Sequence, residues 1–220
     1  MSEKDFLGKL KDHFHKSFSV RVKTFGFDRQ TKGIYFERSS FGKKGVSVFY
    51  NYKFGALQVS ASMIVRIDAL EEFLFEYRTK IRQDPAVRKP AHFSVSVDLG
   101  NIKNGNFRWW NNYDQSDVDE TLKDVENLIA QYGKPFLAKV DSPEKILDEM
   151  RASTTKRSKL GDPGLLSYRM LGLEYLLGRR DLFDESLPAL EKFVKNSSVV
   201  YSDYERYVNW IMGKFNSLEE

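Results

Sequence analysis

The stretch from Gly45 to Arg66, GVSVFYNYKFGALQVSASMIVR, limits the folds open to this chain more than any other. Two runs rich in β-branched and aromatic residues, Val46 to Tyr52 and Ala56 to Val65, flank a short connection at Lys53, Phe54 and Gly55, which reads as a β-hairpin. In the second run Leu57, Val59, Ala61, Met63 and Val65 share one face while Gln58, Ser60 and Ser62 share the other, the period-two pattern of a half-buried strand. In the first run both faces carry bulk, because Val46, Val48, Tyr50 and Tyr52 oppose Ser47, Phe49 and Asn51. A long hairpin with one apolar face must lie in a sheet packed by something apolar. The polar face, Gln58, Ser60 and Ser62 with Asn51 and Ser47, lacks the Lys, Glu and Thr of a fully solvated strand, so it is expected to form a concave binding surface.

Helical periodicity surrounds the hairpin. Phe6, Leu7, Leu10, Phe14 and Phe18 predict an amphipathic helix from about Lys4 to Ser17, fading toward Val22 and ending by Gly26. Ile34 to Phe36 predicts a strand, and Phe41 to Gly45 a turn. Asp68 and Glu71 open a helix with Leu70, Phe73, Leu74, Tyr77 and Ile81 on its stripe, ending before Pro85. A strand follows at 92–98, then a turn at Gly100 to Asn106 and a strand at Phe107 to Trp110. Val118, Leu122, Val125, Leu128 and Ile129 mark a helix closed by Gly133, and Ser142 with Pro143 starts another.

Arg151 to Gly161 is small, polar and basic, without apolar periodicity, and is read as a boundary. Beyond it the pattern is helical: a helix from Asp162 and Pro163 to Gly178, a second with Pro188 in its first turn, and a third through Tyr201 to Phe215. Tyr168, Leu171, Gly172 and Tyr175 match the spacing of a tetratricopeptide first helix, but no second copy follows. The expected fold class is α+β. Residues 1–152 form an antiparallel sheet of four to five strands packed by helices, and 153–220 a C-terminal three-helix unit.

Several chemistries lack their residues. The chain has no cysteine, so disulfides, thiolate zinc sites and cysteine nucleophiles are excluded. His13 and His15 lie two apart, which on a helix points them in different directions, and no metal-ligand motif accompanies them or His92. Neither a nucleophile elbow nor a phosphate loop is present. No catalytic, cofactor-binding or metal residue is therefore assigned, and no cofactor is expected. No apolar run approaches the roughly 18 residues of a membrane span, and the charged N-terminus has no signal-peptide centre, so no membrane partner and a cytoplasmic location are expected. Residues 1–82 hold 16 Lys/Arg against 9 Asp/Glu, a basic third that leaves nucleic-acid binding open.

The tandem Trp109 and Trp110, within NFRWWNNYD, is the most unusual local feature. On a strand adjacent residues face opposite sides, so one indole can enter the core; the other is then either packed under a second covering layer or exposed beside Arg108, where it can anchor a partner. The candidate binding surface is therefore Trp109, Trp110, Arg108, Gln58, Ser60, Ser62 and Asn51.

The helix ending at Gly26 and Phe27, the aromatic strands through Tyr35, Phe36, Phe49 and Tyr50, the FRWW strand, and the Gly133 to Leu137 segment before SPEKIL together resemble an uncharacterised bacterial family. It is catalogued as domain of unknown function 4304, and the resemblance covers about residues 3–152. It implies an α+β fold and supplies no catalytic residues. The favoured expectation is a non-enzymatic bacterial interaction protein, of an immunity or regulatory kind, with a protein partner. A nucleic-acid-binding protein and an enzyme with a motif-free site are the alternatives.

Overall fold

The structure, a computed structural model, describes residues 3–31, 33–154, 160, 163–195 and 201–219. In chain order the elements are α1 (Glu3–Arg21), β1 (Arg29–Thr31), β2 (Ile34–Ser39), β3 (Gly42–Lys53), β4 (Ala56–Ile67) and α2 (Asp68–Glu76). There follow β5 (Val95–Asp98), α3 (Leu99–Asn104), β6 (Trp110–Asn112), α4 (Gln115–Leu128), α5 (Lys134–Lys139) and α6 (Pro143–Thr154). The last are α7 (Pro163–Leu176), α8 (Arg180–Lys195) and α9 (Tyr201–Glu219). The fold is α+β. The strands form one sheet in the order β1-β2-β3-β4-β5, with β6 also paired to β4, so it has six strands rather than four or five. The β1–β2, β2–β3 and β4–β6 pairings are antiparallel.

The chain divides into two compact units, residues 1–65 with 96–139, and residues 66–95 with 140–220. This division cuts across the boundary expected at 152: the α2 segment and α6 group with the C-terminal helices. Most of the expected linker, 155–159 and 161–162, lies outside the described residues, while Arg151 to Thr154 continue α6.

In the first unit the hairpin closes through a two-residue loop, Phe54 at φ 54° and Gly55 at φ 70°. Left-handed backbone at both positions matches the right-handed twist of the strands. The expected turn at Phe41 to Gly45 is mostly strand, because β3 begins at Gly42 and pairs Gly45 with Phe36. Gly45 is required there: a Cβ would overlap the Tyr35 carbonyl. Phe14 and Phe18 of α1 carry no exposed surface and meet Tyr50 and Tyr35 of the sheet, the Phe18 and Tyr35 rings edge-on at 5.1 Å. Along α4, His13 reaches Asp119 at 3.0 Å and Arg21 reaches Glu126 at 2.6 Å. His15 turns instead to the Tyr35 hydroxyl, so the two histidines point to separate partners.

Three local readings are corrected. Gly100 to Asn106 contains the short helix α3 rather than only a turn, because Asp98 caps it by accepting from Gly100 N and Asn101 N. The tryptophan strand begins at Trp110, not Phe107. Gly133 does not close α4: a π-helical turn, Ile129–Gly133, carries the chain into α5, and Gly133 lies where a Cβ would be 2.7 Å from Met63 Sδ.

In the second unit α7 is buried almost all round and is flanked by α2, α6, α8 and α9. Pro188 lies inside α8, not in its first turn. Burial of Phe183, Leu190 and Val194 along one side of α8 offsets the roughly 3 kcal/mol that an interior proline costs. Among the described residues no helix is long and apolar enough to cross a membrane.

Candidate functional site

The short strand β6 pairs Leu57 with Asn112, Gln58 with Asn111 and Val59 with Trp110, which fixes the facing of every side chain around the tandem tryptophan. Trp110 follows Val59 to the core side and is 8% exposed. Its Nε1 donates to Asp124 Oδ2 at 2.7 Å. Trp109 points the other way, is 41% exposed, and its ring centroid lies 5.7 Å from that of Phe107, itself exposed.

Arg108 is not the free cation expected beside a binding tryptophan. Its guanidinium lies 4.9 Å from the Trp110 ring centroid and is ion-paired with Asp124. Arg108 and Trp110 thus share one carboxylate and act as scaffold.

Asn112, missed in the sequence, holds the strand in place. Fully buried, it donates from Nδ2 to the Leu57 and Trp110 carbonyls, and its Oδ1 accepts from Thr121 Oγ1 at 2.7 Å. Asp98 does the same for the loop before it. Its carboxylate accepts from Gly100 N, Asn101 N, Arg108 N and Ser60 Oγ. Burial pushes this carboxyl above the ordinary range, and those four hydrogen bonds pull it back. The only sequence sign of either role was a dense run of Asn, Asp and Gly between two short strands, which specifies turn chemistry but not which side chain turns inward.

The polar face of the hairpin is not the open surface expected. Ser60 is fully buried, and Ser62 and Ser47 are 4% and 3% exposed. Ile64, next in the same alternation, is also buried, so the middle of β4 is covered on both faces. There the Ser60 hydroxyl serves the interior, donating to Asp98 Oδ2 at 3.0 Å, rather than solvent. Only the hairpin end remains open, and its amides satisfy one another: Asn51 Nδ2 donates to Gln58 Oε1 at 3.2 Å, and Gln58 Nε2 to Asn111 Oδ1 at 2.8 Å. This ladder crosses β3, β4 and β6 and ends two residues from Trp109.

What gathers around Trp109 is acidic. A shallow depression of about 520 Å³ is lined by Trp109, Trp110, Asn111 and Thr121 and by three carboxylates, Asp117, Glu120 and Asp124, against one cation, Arg108, which is paired with Asp124. Asp117 accepts from Tyr113 N at 2.8 Å and Asp124 is occupied as above. Glu120 makes no hydrogen bond or ion pair among the described residues. Phe107, Trp109 and Tyr113 are each more than 40% exposed within seven residues of chain. The arrangement offers an aromatic shelf with an unneutralised carboxylate beside it, suited to a cation carried on an apolar stem.

Among the described residues no group of three or more His, Cys, Asp or Glu side chains could hold a metal ion. Comparisons with protein-family models, with curated proteins and with solved structures return no match for this chain. The class is therefore set by the fold and the surface alone: an α+β protein with an exposed aromatic and acidic shelf at the short end of its sheet.

Proposed function

We propose that this chain is a bacterial cytoplasmic binding protein, of an immunity or regulatory kind, that engages a protein partner through the Trp109 shelf. The observation that carries the reading is the split of the tandem tryptophan. One indole is committed to the core by a hydrogen bond and an ion-paired neighbour, while the other, just before β6, is exposed beside Phe107. An exposed indole next to a hydrogen-bonded strand is an anchor of the type that dominates protein interfaces. Glu120 and Asp117 select the partner's chemistry: a lysine or arginine whose stem covers the ring and whose charge meets the carboxylates. The same acidity speaks against nucleic acid at this place.

The test compares proteins retained from a bacterial lysate by the wild type, by Trp109→Ala and by Glu120→Lys. A stoichiometric partner held by the wild type and lost by both variants, with unchanged melting temperatures, supports the reading. Retention of the same partner by all three overturns it, as does the absence of any partner held by the wild type.

A further inference from the structure

The β3–β4 hairpin ends in an exposed point. Phe54, in its two-residue loop, is 81% exposed, and Lys53 Nζ lies 4.8 Å from the centroid of the Phe54 ring. Lys53 is itself exposed and makes no hydrogen bond or ion pair among the described residues. Glu3 comes near Gly55 of the same loop without pairing with Lys53. The tip therefore presents a cation on an apolar stem beside an exposed ring.

That is the chemistry the Trp109 shelf receives, and the shelf lies on the same part of the sheet. Alternation along β3 puts Lys53 on the side of Asn51, and Trp109 faces the side of Asn111. The amide ladder from Asn51 through Gln58 to Asn111 joins these two sides into one face. Lys53 and Glu120 are nevertheless not paired with each other, and each has no other partner among the described residues. Complementary groups on one face of a chain suit a two-fold contact. An axis that seats the tip of one copy on the shelf of a second seats the second tip on the first shelf, so the contact is made twice and the assembly closes.

The distribution of exposed rings agrees. Among the described residues ten large apolar side chains are exposed, and six of them, Phe49, Tyr52, Phe54, Phe107, Trp109 and Tyr113, belong to this hairpin or to the segment around β6. Such a concentration marks a surface that another macromolecule covers. The free cation and the free carboxylate select a second copy as the occupant.

We propose that two copies of this chain associate through the hairpin end, with Lys53 and Phe54 of one copy seated on the Trp109 and Glu120 shelf of the other. The inference rests on the reading of the shelf as a docking surface and names an occupant for it. A second copy and any other protein partner then compete for the same place.

The test is analytical ultracentrifugation of the full chain at micromolar to millimolar concentration. The wild type is expected to form a dimer that salt weakens. Lys53→Glu and Glu120→Lys, both at exposed positions, are each expected to weaken it by about tenfold or more with unchanged melting temperatures. An equimolar mixture of these two variants is expected to dimerise again, because the two reversed charges meet at one contact and the native pair fills the other. Phe54→Asn, which the left-handed turn position accepts, removes the ring and is expected to weaken the dimer by a similar factor. A wild type that stays monomeric, a dimer indifferent to both charge reversals, or a mixture that stays monomeric overturns the proposal. A monomeric wild type that still retains a lysate partner through Trp109 overturns this inference alone. A dimer with the expected charge dependence and no lysate partner supports it and overturns only the lysate-partner reading.

Discussion

The indole nitrogen of Trp110 donates to the Asp124 carboxylate at 2.7 Å, and Arg108, lying over the same ring, pairs with the same carboxylate oxygen. This bond separates two adjacent tryptophans into a structural residue and an exposed one. Trp110→Phe removes the donor and part of the ring that Arg108 covers, and is expected to lower the unfolding free energy by about 1–3 kcal/mol. Trp109→Ala touches little beyond Phe107 and is expected to stay within about 0.5 kcal/mol of wild type. Urea denaturation of the two variants checks the contrast, and equal losses would mean that the assignment of the two indoles fails.

Asp98 supports a separate expectation. Its carboxylate caps α3 and also takes the Arg108 amide and the Ser60 hydroxyl. Asp98→Ala leaves several buried donors without an acceptor and is expected to cost about 2–4 kcal/mol. Asp98→Asn keeps an acceptor oxygen for the amides, and the Ser60 hydroxyl can rotate to accept from the new amide. Because burial already raises the carboxyl, removing the charge recovers part of the desolvation cost. The loss for Asp98→Asn is therefore expected to be under about 1 kcal/mol, read by the same urea transitions.

Glu174 gives the pH dependence. Fully buried in α7, it accepts from Arg151 Nη1 at 2.9 Å and from Ser186 Oγ at 2.7 Å. Burial holds its carboxyl above the ordinary 4.5, with Ser186 and Arg151 pulling it down. An acid whose folded pKa is raised binds its proton more tightly when folded, so its contribution to stability falls as pH rises from 4.5 through the folded pKa. Glu174→Gln lacks that slope, and its stability relative to wild type is expected to improve as pH rises through the same window. Arg151→Met strands the carboxylate and is expected to cost about 3–5 kcal/mol at neutral pH, with part of the loss recovered on acidification. Denaturation series between acid and neutral pH separate these behaviours.

How far the sequence announces this structure depends on the range of the interactions involved. The hairpin around Phe54 and Gly55 was legible because alternation and turn chemistry are local, and α1 and α4 because a single apolar stripe decides them. Pro188 was misplaced because helix propensity is local, whereas burial of Phe183, Leu190 and Val194 comes from distant residues. Ser60 and Ser62 were misread for a related reason: alternation marks which residues share a face but not whether that face is covered. The tryptophan doublet marked two indoles that face apart, but which of them is exposed was not legible, because that depends on Trp110 pairing with Val59 of β4 and bonding to Asp124. Nor was the ion pair of Glu71 and Arg169 legible, the two being 98 residues apart in the chain with nothing in either neighbourhood to join them.

Gly172 shows the same limit and allows a sharp test. In sequence it looks like the small residue of a tetratricopeptide helix; in the structure it lies at the centre of the second unit, where a Cβ would be 2.7 Å from Tyr207 Oη and 3.0 Å from Leu70 Cδ1. The Tyr207 hydroxyl has little room to yield, because the side chain is fully buried and donates to the Tyr168 carbonyl at 2.8 Å. Helix propensity alone would make Gly172→Ala stabilising by about 1 kcal/mol. Overpacking is expected to win, since an added methyl in a close-packed interior costs about 1–3 kcal/mol and here also strains a buried hydrogen bond. The expected outcome is a lower melting temperature for Gly172→Ala, restored in part by Tyr207→Phe in the same chain, which removes the atom the methyl meets first. A Gly172→Ala protein that melts above the wild type would show that α7 and α9 are less closely packed than these distances require.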